Sequence, residues 1–238
     1  MILTGHQPNY LPYLGFFHKI AFADAFVIVD TTQFVKRGPF GWIHRNRIRA
    51  ANAEGWMWLS VPVLSSGRFT QTIAESRIDP KVPWRRKHWR SLQLAYQKAP
   101  HFAAHAPFFE GLYAKEWDRL SDLSEAVILY LMGAFGLSTP VHRASDLKAE
   151  GKATELVLDL CRRMKADAYL SGIHGRDYLD TAAVERAGVR LLFSDFAHPT
   201  YPQQGHAGFV PNLAALDLLF NAGPESGRIL RTSCATAA

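Results

Sequence analysis

The stretch Ile2-Leu3-Thr4-Gly5-His6-Gln7-Pro8-Asn9-Tyr10-Leu11-Pro12-Tyr13-Leu14-Gly15-Phe16-Phe17-His18-Lys19-Ile20 decides the fold. A very short apolar run ends near Gly5 and polar side chains follow. Pro12 then suits a first helical turn, and apolar residues at 14, 16, 17 and 20 have helical spacing. This is the order of a buried parallel strand running into a helix. It places His6, Gln7, Asn9 and Tyr10 at the carboxyl edge of a sheet, where open α/β folds bind ligands. Counting Thr4 and Tyr13, the turn holds more hydrogen-bonding side chains than one helix cap requires.

Working outward, residues 25–30 read as a second buried strand that ends in Asp30 and is followed by Thr31, Thr32, Gln33, Lys36 and Arg37. A turn is expected at Gly38-Pro39-Phe40-Gly41. Residues 42–48 and 57–63, rich in aromatic and β-branched types, form an antiparallel hairpin, and 70–73 add one more strand. Helical patterns over 84–98, 104–118 and 121–135 make a helical insertion over about 84–140. Alternation then resumes with a helix near 153–165, a strand at 168–172, a helix near 176–187 and a strand at 189–193. A polar loop over 198–211 and a helix at 212–221 follow. Residues 223–238 lack apolar periodicity and are expected to form a flexible tail. The fold class is therefore α/β, a Rossmann-like, mainly parallel sheet with a small antiparallel β element and a helical insertion, in a single domain over 1–222.

A chain of 238 residues with 48% hydrophobic content can bury a full core without staples. Its two cysteines, Cys161 and Cys234, show neither metal spacing nor a disulfide framework, so no metal site is expected and a reducing, cytoplasmic setting is. No leader and no spanning segment are expected, because the apolar runs are too short. The net charge of +6 raises nucleic acid as a partner. The charge is dispersed, however, and its densest patch, 84–90, carries no DNA- or RNA-binding motif. Small anionic or nucleotide-containing ligands fit the excess instead.

Three groups of residues fall where strand ends converge. The first is the opening turn, with His6 able to exchange protons and Gln7, Asn9 and Tyr10 able to bind a ligand. The second is Asp30 with Gln33, Lys36 and Arg37, a carboxylate beside two cations, suited to a phosphate chelated by Mg²⁺ or to a solvated ion network. The third is Ser171-Gly172-Ile173-His174-Gly175-Arg176-Asp177-Tyr178, where a strand stops in a glycine-flanked turn and a helix begins. Free N–H groups and Arg176 make that turn an anion site, or its glycines serve backbone angles alone. Lys87 and His88 share a helical face with Trp84, Leu92 and Tyr96, and His198 with Tyr201 lies in a proline-stiffened loop. Neither Cys-x-x-Cys, Gly-x-Ser-x-Gly nor a Walker Gly-Lys-Ser/Thr occurs.

The order of the phrases His6-Gln7-Pro8-Asn9-Tyr10-Leu11-Pro12-Tyr13-Leu14-Gly15, Asn46-Arg47-Ile48, Trp58-Leu59-Ser60-Val61-Pro62-Val63, Trp84 with Lys87-His88, Tyr169-Leu170-Ser171-Gly172, His198-Pro199 with Tyr201, and Asp217 with Leu219-Phe220-Asn221 resembles the signature of WbqC-like proteins. The likeness covers about residues 2–223. It implies a setting in surface-polysaccharide or related biosynthesis and adds Asn46 and Arg47 to the ligand-binding candidates. A more distant likeness links the opening to nucleotidyltransferase-like α/β folds, whose His-x-Gly-His sequence handles nucleotide phosphates. Here Tyr10, Pro12 and Tyr13 stand at those key positions. The expected function is a biosynthetic transferase that binds a nucleotide or other phosphorylated donor, with His6, Asp30 and Lys36 as catalytic candidates. The ligand-binding candidates are Gln7, Asn9, Tyr10, Gln33, Arg37, Asn46, Arg47, Lys87, His88, Ser171, Gly172, Gly175, Arg176, Tyr178, His198 and Tyr201. The alternative is a non-catalytic ligand-binding or scaffold protein serving such a pathway.

Overall fold

In chain order, β1 (Ile2–His6) runs into α1 (Leu14–Ala21) and β2 (Ala25–Ile28). The hairpin of β3 (Arg45–Arg49) and β4 (Trp56–Ser60) precedes three helices, α2 (Trp84–Tyr96), α3 (Phe102–Ala114) and α4 (Leu120–Ala134). Then come β5 (Val141–Arg143), α5 (Thr154–Met164), β6 (Ala168–Ser171), a 3-10 turn at Ile173–Asp177, α6 (Thr181–Arg186), β7 (Arg190–Phe193), α7 (Leu216–Ala222) and α8 (Ser226–Arg231). The computed structural model describes residues 1–38, 41–205 and 208–234. Residues 39 and 40 of the expected turn at 38–41, and 235–238 of the expected tail, lie outside the described residues.

The main sheet has the order β5-β2-β1-β6-β7 with every pair parallel, and β3 and β4 form the small antiparallel sheet. This is the expected α/β architecture. The period of two along each strand sorts side chains into two cores. Leu3, Val27 and Val29 pack with Leu156, Leu160 and Val184 of α5 and α6, whereas Phe26 and Ile28 pack with Phe16, Phe17 and Ile20 of α1. Helices therefore cover both faces. Phe16 meets Phe17 and Phe26 edge to face at 5.1 and 5.4 Å, and Phe17 meets Phe135 at 5.3 Å. Each such pair adds about 0.5–1.5 kcal/mol beyond area burial. The chain moves one way from β1 through α1 to β2 and the other way from β6 through α6 to β7, so the winding reverses at the seam between β1 and β6.

Several elements differ from the sequence reading. β5 was not foreseen, because three residues carry no periodicity. Residues 70–73 form no strand and contribute only a bridge between Gln33 and Thr72. The helix expected over 176–187 is divided into the 3-10 turn and α6, since Asp180 accepts a hydrogen bond from the Ala183 N–H (2.9 Å) and starts a new helix. The helix expected from 212 begins at Leu216. The flexible tail is corrected over 223–234: α8 packs on α1, and Leu230 and Ser226 are fully buried. Gly227 permits this approach, because a Cβ there would lie 2.3 Å from the Phe135 carbonyl oxygen. Among the described residues no helix is long and apolar enough to cross a membrane.

Candidate functional site

At the end of β1, alternation turns Gly5 toward α5 and α6, where a Cβ would meet Val29 Cγ2 at 3.0 Å and the Tyr169 hydroxyl at 3.1 Å. His6 faces α1 and packs on Phe16, with ring centroids 4.8 Å apart. Its Nδ1 lies 3.0 Å from the Gln7 carbonyl oxygen. A carbonyl only accepts, so Nδ1 carries the proton and Nε2 keeps a lone pair. Burial, and next the cation of Lys19, hold the imidazole down at about 3, so it is neutral at physiological pH.

Lys19 reaches back from α1 and donates from Nζ to the Gly5 carbonyl (3.1 Å). Its Cδ lies 4.0 Å from the position a Cβ on Gly172 would take, so the side chain spans the seam between β1 and β6. It is 5% exposed, no ion pair engages it among the described residues, and burial lowers its ammonium to about 8. A buried cation with one carbonyl partner keeps donors for an anion. The sequence reading missed Lys19, because a lysine in a helix usually marks the solvent face. The signal was its position in an otherwise apolar turn directly behind the motif.

On the β6 side, Ser171 is buried and its carbonyl accepts from the Ser194 N–H (2.8 Å). A Cβ on Gly175 would lie 2.0 Å from Ser171 Oγ, so only glycine lets the turn close. Arg176 lies over the Phe193 ring at 4.1 Å, and Tyr178 is exposed. On the β2 side, Gln7 Nε2 donates to Thr32 Oγ1 (2.9 Å). Asn9 Oδ1 and Thr31 Oγ1 are buried acceptors without a partner among the described residues, which leaves hydrogen-bonding capacity at this edge.

The structure places the other candidates elsewhere. Asp30 is fully buried, and its two oxygens accept from the Ser145 N–H (3.0 Å) and hydroxyl (2.6 Å), joining the end of β2 to the residues after β5. Asp30→Ala should therefore lower the unfolding free energy by about 1–3 kcal/mol, read from urea denaturation, because Ser145 loses both acceptors. Gln33 donates to the Phe69 carbonyl (2.6 Å), Lys36 to Ser65 Oγ (3.1 Å), and Arg37 is exposed. Tyr10 is buried, with its hydroxyl 2.9 Å from His88 Nδ1 and 2.5 Å from the Tyr113 hydroxyl, which ties the opening loop to α2 and α3. Lys87 is exposed, whereas His88 is buried. Asn46 donates to the carbonyl of Leu11, whose φ of 50° lies in the left-handed region, and so pins the loop.

Arg47 stacks between Trp42 (5.4 Å) and Trp56 (5.0 Å), and Arg45 lies over Trp58 (4.4 Å). Neither arginine has an ion pair among the described residues. His198 accepts at Nε2 from the Asn212 N–H (3.1 Å), while the Tyr201 hydroxyl and Gln203 Nε2 both donate to Asp217 (2.8 Å each). Burial raises the Asp217 carboxyl, and the bonds from Tyr201, Tyr96 and Gln203 oppose that rise. The bonds of Tyr201 and Gln203 fasten the 198–211 loop to α7. His101 and His105 are spaced like a metal motif at the start of α3. Yet His105 Nδ1 lies 2.7 Å from the Tyr130 hydroxyl, and no third ligand joins them among the described residues. A cavity of about 1000 Å³ lies beside the insertion, lined by Lys81, Trp84, Trp89 and Trp117. Of its cations, Arg77 and Arg85 are paired with Asp118 and Glu116, whereas Lys81 and Arg86 have no ion pair among the described residues; the unpaired cation of the β1/β6 seam differs from these in being buried.

Comparison with known proteins adds a family to this geometry. A protein of Mycobacterium tuberculosis (strain ATCC 25618 / H37Rv) described as "Uncharacterized protein Rv1507c" is 36% identical over 226 residues, covering 94% of this chain and 95% of the relative. No solved structure gives a significant match. The model of the WbqC-like protein family matches residues 7–229, from the Gln7 amide at the sheet edge to the last turn of α8, and the chain belongs to that family.

Proposed function

We propose that the protein is a transferase that binds a phosphorylated or nucleotide-containing donor at the β1/β6 seam and passes a group to a hydroxyl or amine acceptor. The pathway would be of the surface-polysaccharide or related sugar type. The observation that carries this reading is Lys19, a buried and unpaired cation beside a neutral imidazole at the point where the winding of the sheet reverses. In this reading the donor's anionic group takes the free donors of Lys19. The acceptor's O–H or N–H then attacks the electrophilic centre of the donor as the bond to the leaving group breaks. The proton goes to His6 Nε2, and the charge of the departing group falls to Lys19. Anion binding also cancels the push of Lys19 on His6, which makes the imidazole a stronger base when the donor is present. Asp30 is fully buried and bonded through both oxygens to Ser145, so this reading gives it a structural role and no part in holding a Mg²⁺ ion carried by a nucleotide.

A second reading, a carrier that holds a phosphorylated intermediate for partner enzymes, is favoured by the Trp42, Arg45, Arg47, Trp56 and Trp58 face of the hairpin, which suits a partner surface. Thermal melts with nucleoside triphosphates, nucleotide sugars and acyl-coenzyme A compounds test the main reading. A ligand at a hundred times its Kd adds about 2.7 kcal/mol, and at this chain length that raises Tm by roughly 5–10 °C. A shift that Lys19→Met removes supports the seam. Binding without any product from hydroxyl or amine acceptors selects the carrier, and no shift with any donor class overturns both.

A further inference from the structure

We propose that His18, Asp195 and Cys234 form a transition-metal site suited to Zn²⁺ at the carboxyl end of β7. The three residues come from α1, from the segment after β7 and from the segment after α8, yet their ligand atoms all lie within 4.8 Å of one another. His18 Nε2 is 3.5 Å from Cys234 Sγ. In a tetrahedral zinc centre, a Zn–S bond of about 2.3 Å and a Zn–N bond of about 2.0–2.1 Å place sulfur and nitrogen about 3.6 Å apart. The observed separation, which without an ion is a thiol–imidazole hydrogen bond, matches the edge of such a tetrahedron.

The surroundings are those of a metal-binding histidine. His18 Nδ1 lies 3.2 Å from Ser194 Oγ, so its N–H can donate to the hydroxyl and leave the Nε2 lone pair facing the thiol. The rings of Phe22 and Phe196 flank the imidazole at 4.8 and 5.3 Å and fix its plane. A bridge between Phe196 and Cys234, with the Ala197 N–H donating to the Ser233 carbonyl (2.9 Å), holds the other two ligands in register. A cation between them would allow a thiolate and a carboxylate to lie at this distance without repulsion. Thiolate and imidazole together favour zinc over magnesium or calcium. On binding, the Cys234 S–H bond breaks, the S–Zn bond forms, and the proton leaves to solvent. His18 is 1% exposed whereas Asp195 and Cys234 are exposed, so the fourth position opens to solvent. The metal would clasp the end of the chain to α1 one residue from Lys19, and it does not depend on the transferase reading.

The test titrates chelator-treated full-length protein with Co²⁺, followed by thiolate-to-metal absorption, and with Zn²⁺ against a chromophoric chelator. One equivalent per chain with a thiolate band is expected. Cys234→Ser should abolish the band and weaken Zn²⁺ binding at least tenfold, while Asp195→Asn keeps the band and weakens binding. Both side chains are exposed, so unchanged melting of the metal-free variants separates ligand loss from misfolding. Sub-stoichiometric binding, Co²⁺ bound without the band, or undiminished binding by Cys234→Ser overturns the site.

Discussion

Lys19→Met is expected to lose the ligand-induced thermal shift and at least about a hundredfold of turnover, the scale for removing a group that stabilises transition-state charge, while melting no lower than the parent. The two effects have one cause. Burial in the layer between α1 and the sheet holds the ammonium at about 8 instead of 10.5, a difference worth roughly 3 kcal/mol. Between those values the unfolded chain binds more protons than the folded one. The parent therefore gains stability as pH rises from about 8 to 10.5, and the penalty is fully present below 8. Methionine fills similar space without a charge, so the variant should lack that rise. Anion affinity of the parent should fall as pH passes through about 8. Ligand titrations at pH 7 and 9, with melts of both proteins, check this. Retained binding by Lys19→Met would remove Lys19 from the site, and a steep loss of Tm would make it structural.

Acidification from pH 7 to 4 should unfold the protein. His6 is held at about 3, and His44 and His88 at about 4, each chiefly by burial. Their ordinary value is near 6.5, so the unfolded chain takes up protons below that pH which the fold refuses. Stability present above 6.5 is lost as pH falls toward 4. His6 and His88 each account for roughly 3 kcal/mol over that span, against a total of about 5–15 kcal/mol for a folded domain. His88 belongs to a buried chain in which its Nδ1 meets the Tyr10 hydroxyl and that hydroxyl meets the Tyr113 hydroxyl, so protonation disturbs the link between opening loop and insertion. Melts followed by circular dichroism at pH 7, 5.5 and 4 should show a steep fall, flattened in His88→Gln. A parent with unchanged Tm at pH 4 would show that these histidines are hydrated.

The parts legible in the sequence are those fixed by neighbours in the chain. The opening strand and helix, the hairpin, the insertion and the later βαβ order follow from periods of 2 and 3.6 and from proline and glycine punctuation. His6 and Ser171-Gly172 were legible as strand ends, and the seam between β1 and β6 brings those ends together. Lys19 was not legible, because its meaning depends on α1 being buried on nearly every side. Asp30 read as a free acid because Ser145, 115 residues away, is adjacent only after β5 pairs with β2. The tail read as flexible because six residues of α8 carry too little pattern, and their order comes from packing on α1 and Phe135.

By itself, then, the sequence determined the layer order, the faces of strands and helices, and the family, all of which are encoded in local pattern. Tertiary structure decided which polar groups are satisfied and which are left over: Asp30 is taken by Ser145, Lys19 is held unpaired over the seam, and His18 meets Asp195 and Cys234. The physical reason is that desolvation and hydrogen-bond partnership belong to the packed neighbourhood, and residues far apart in the chain supply that neighbourhood.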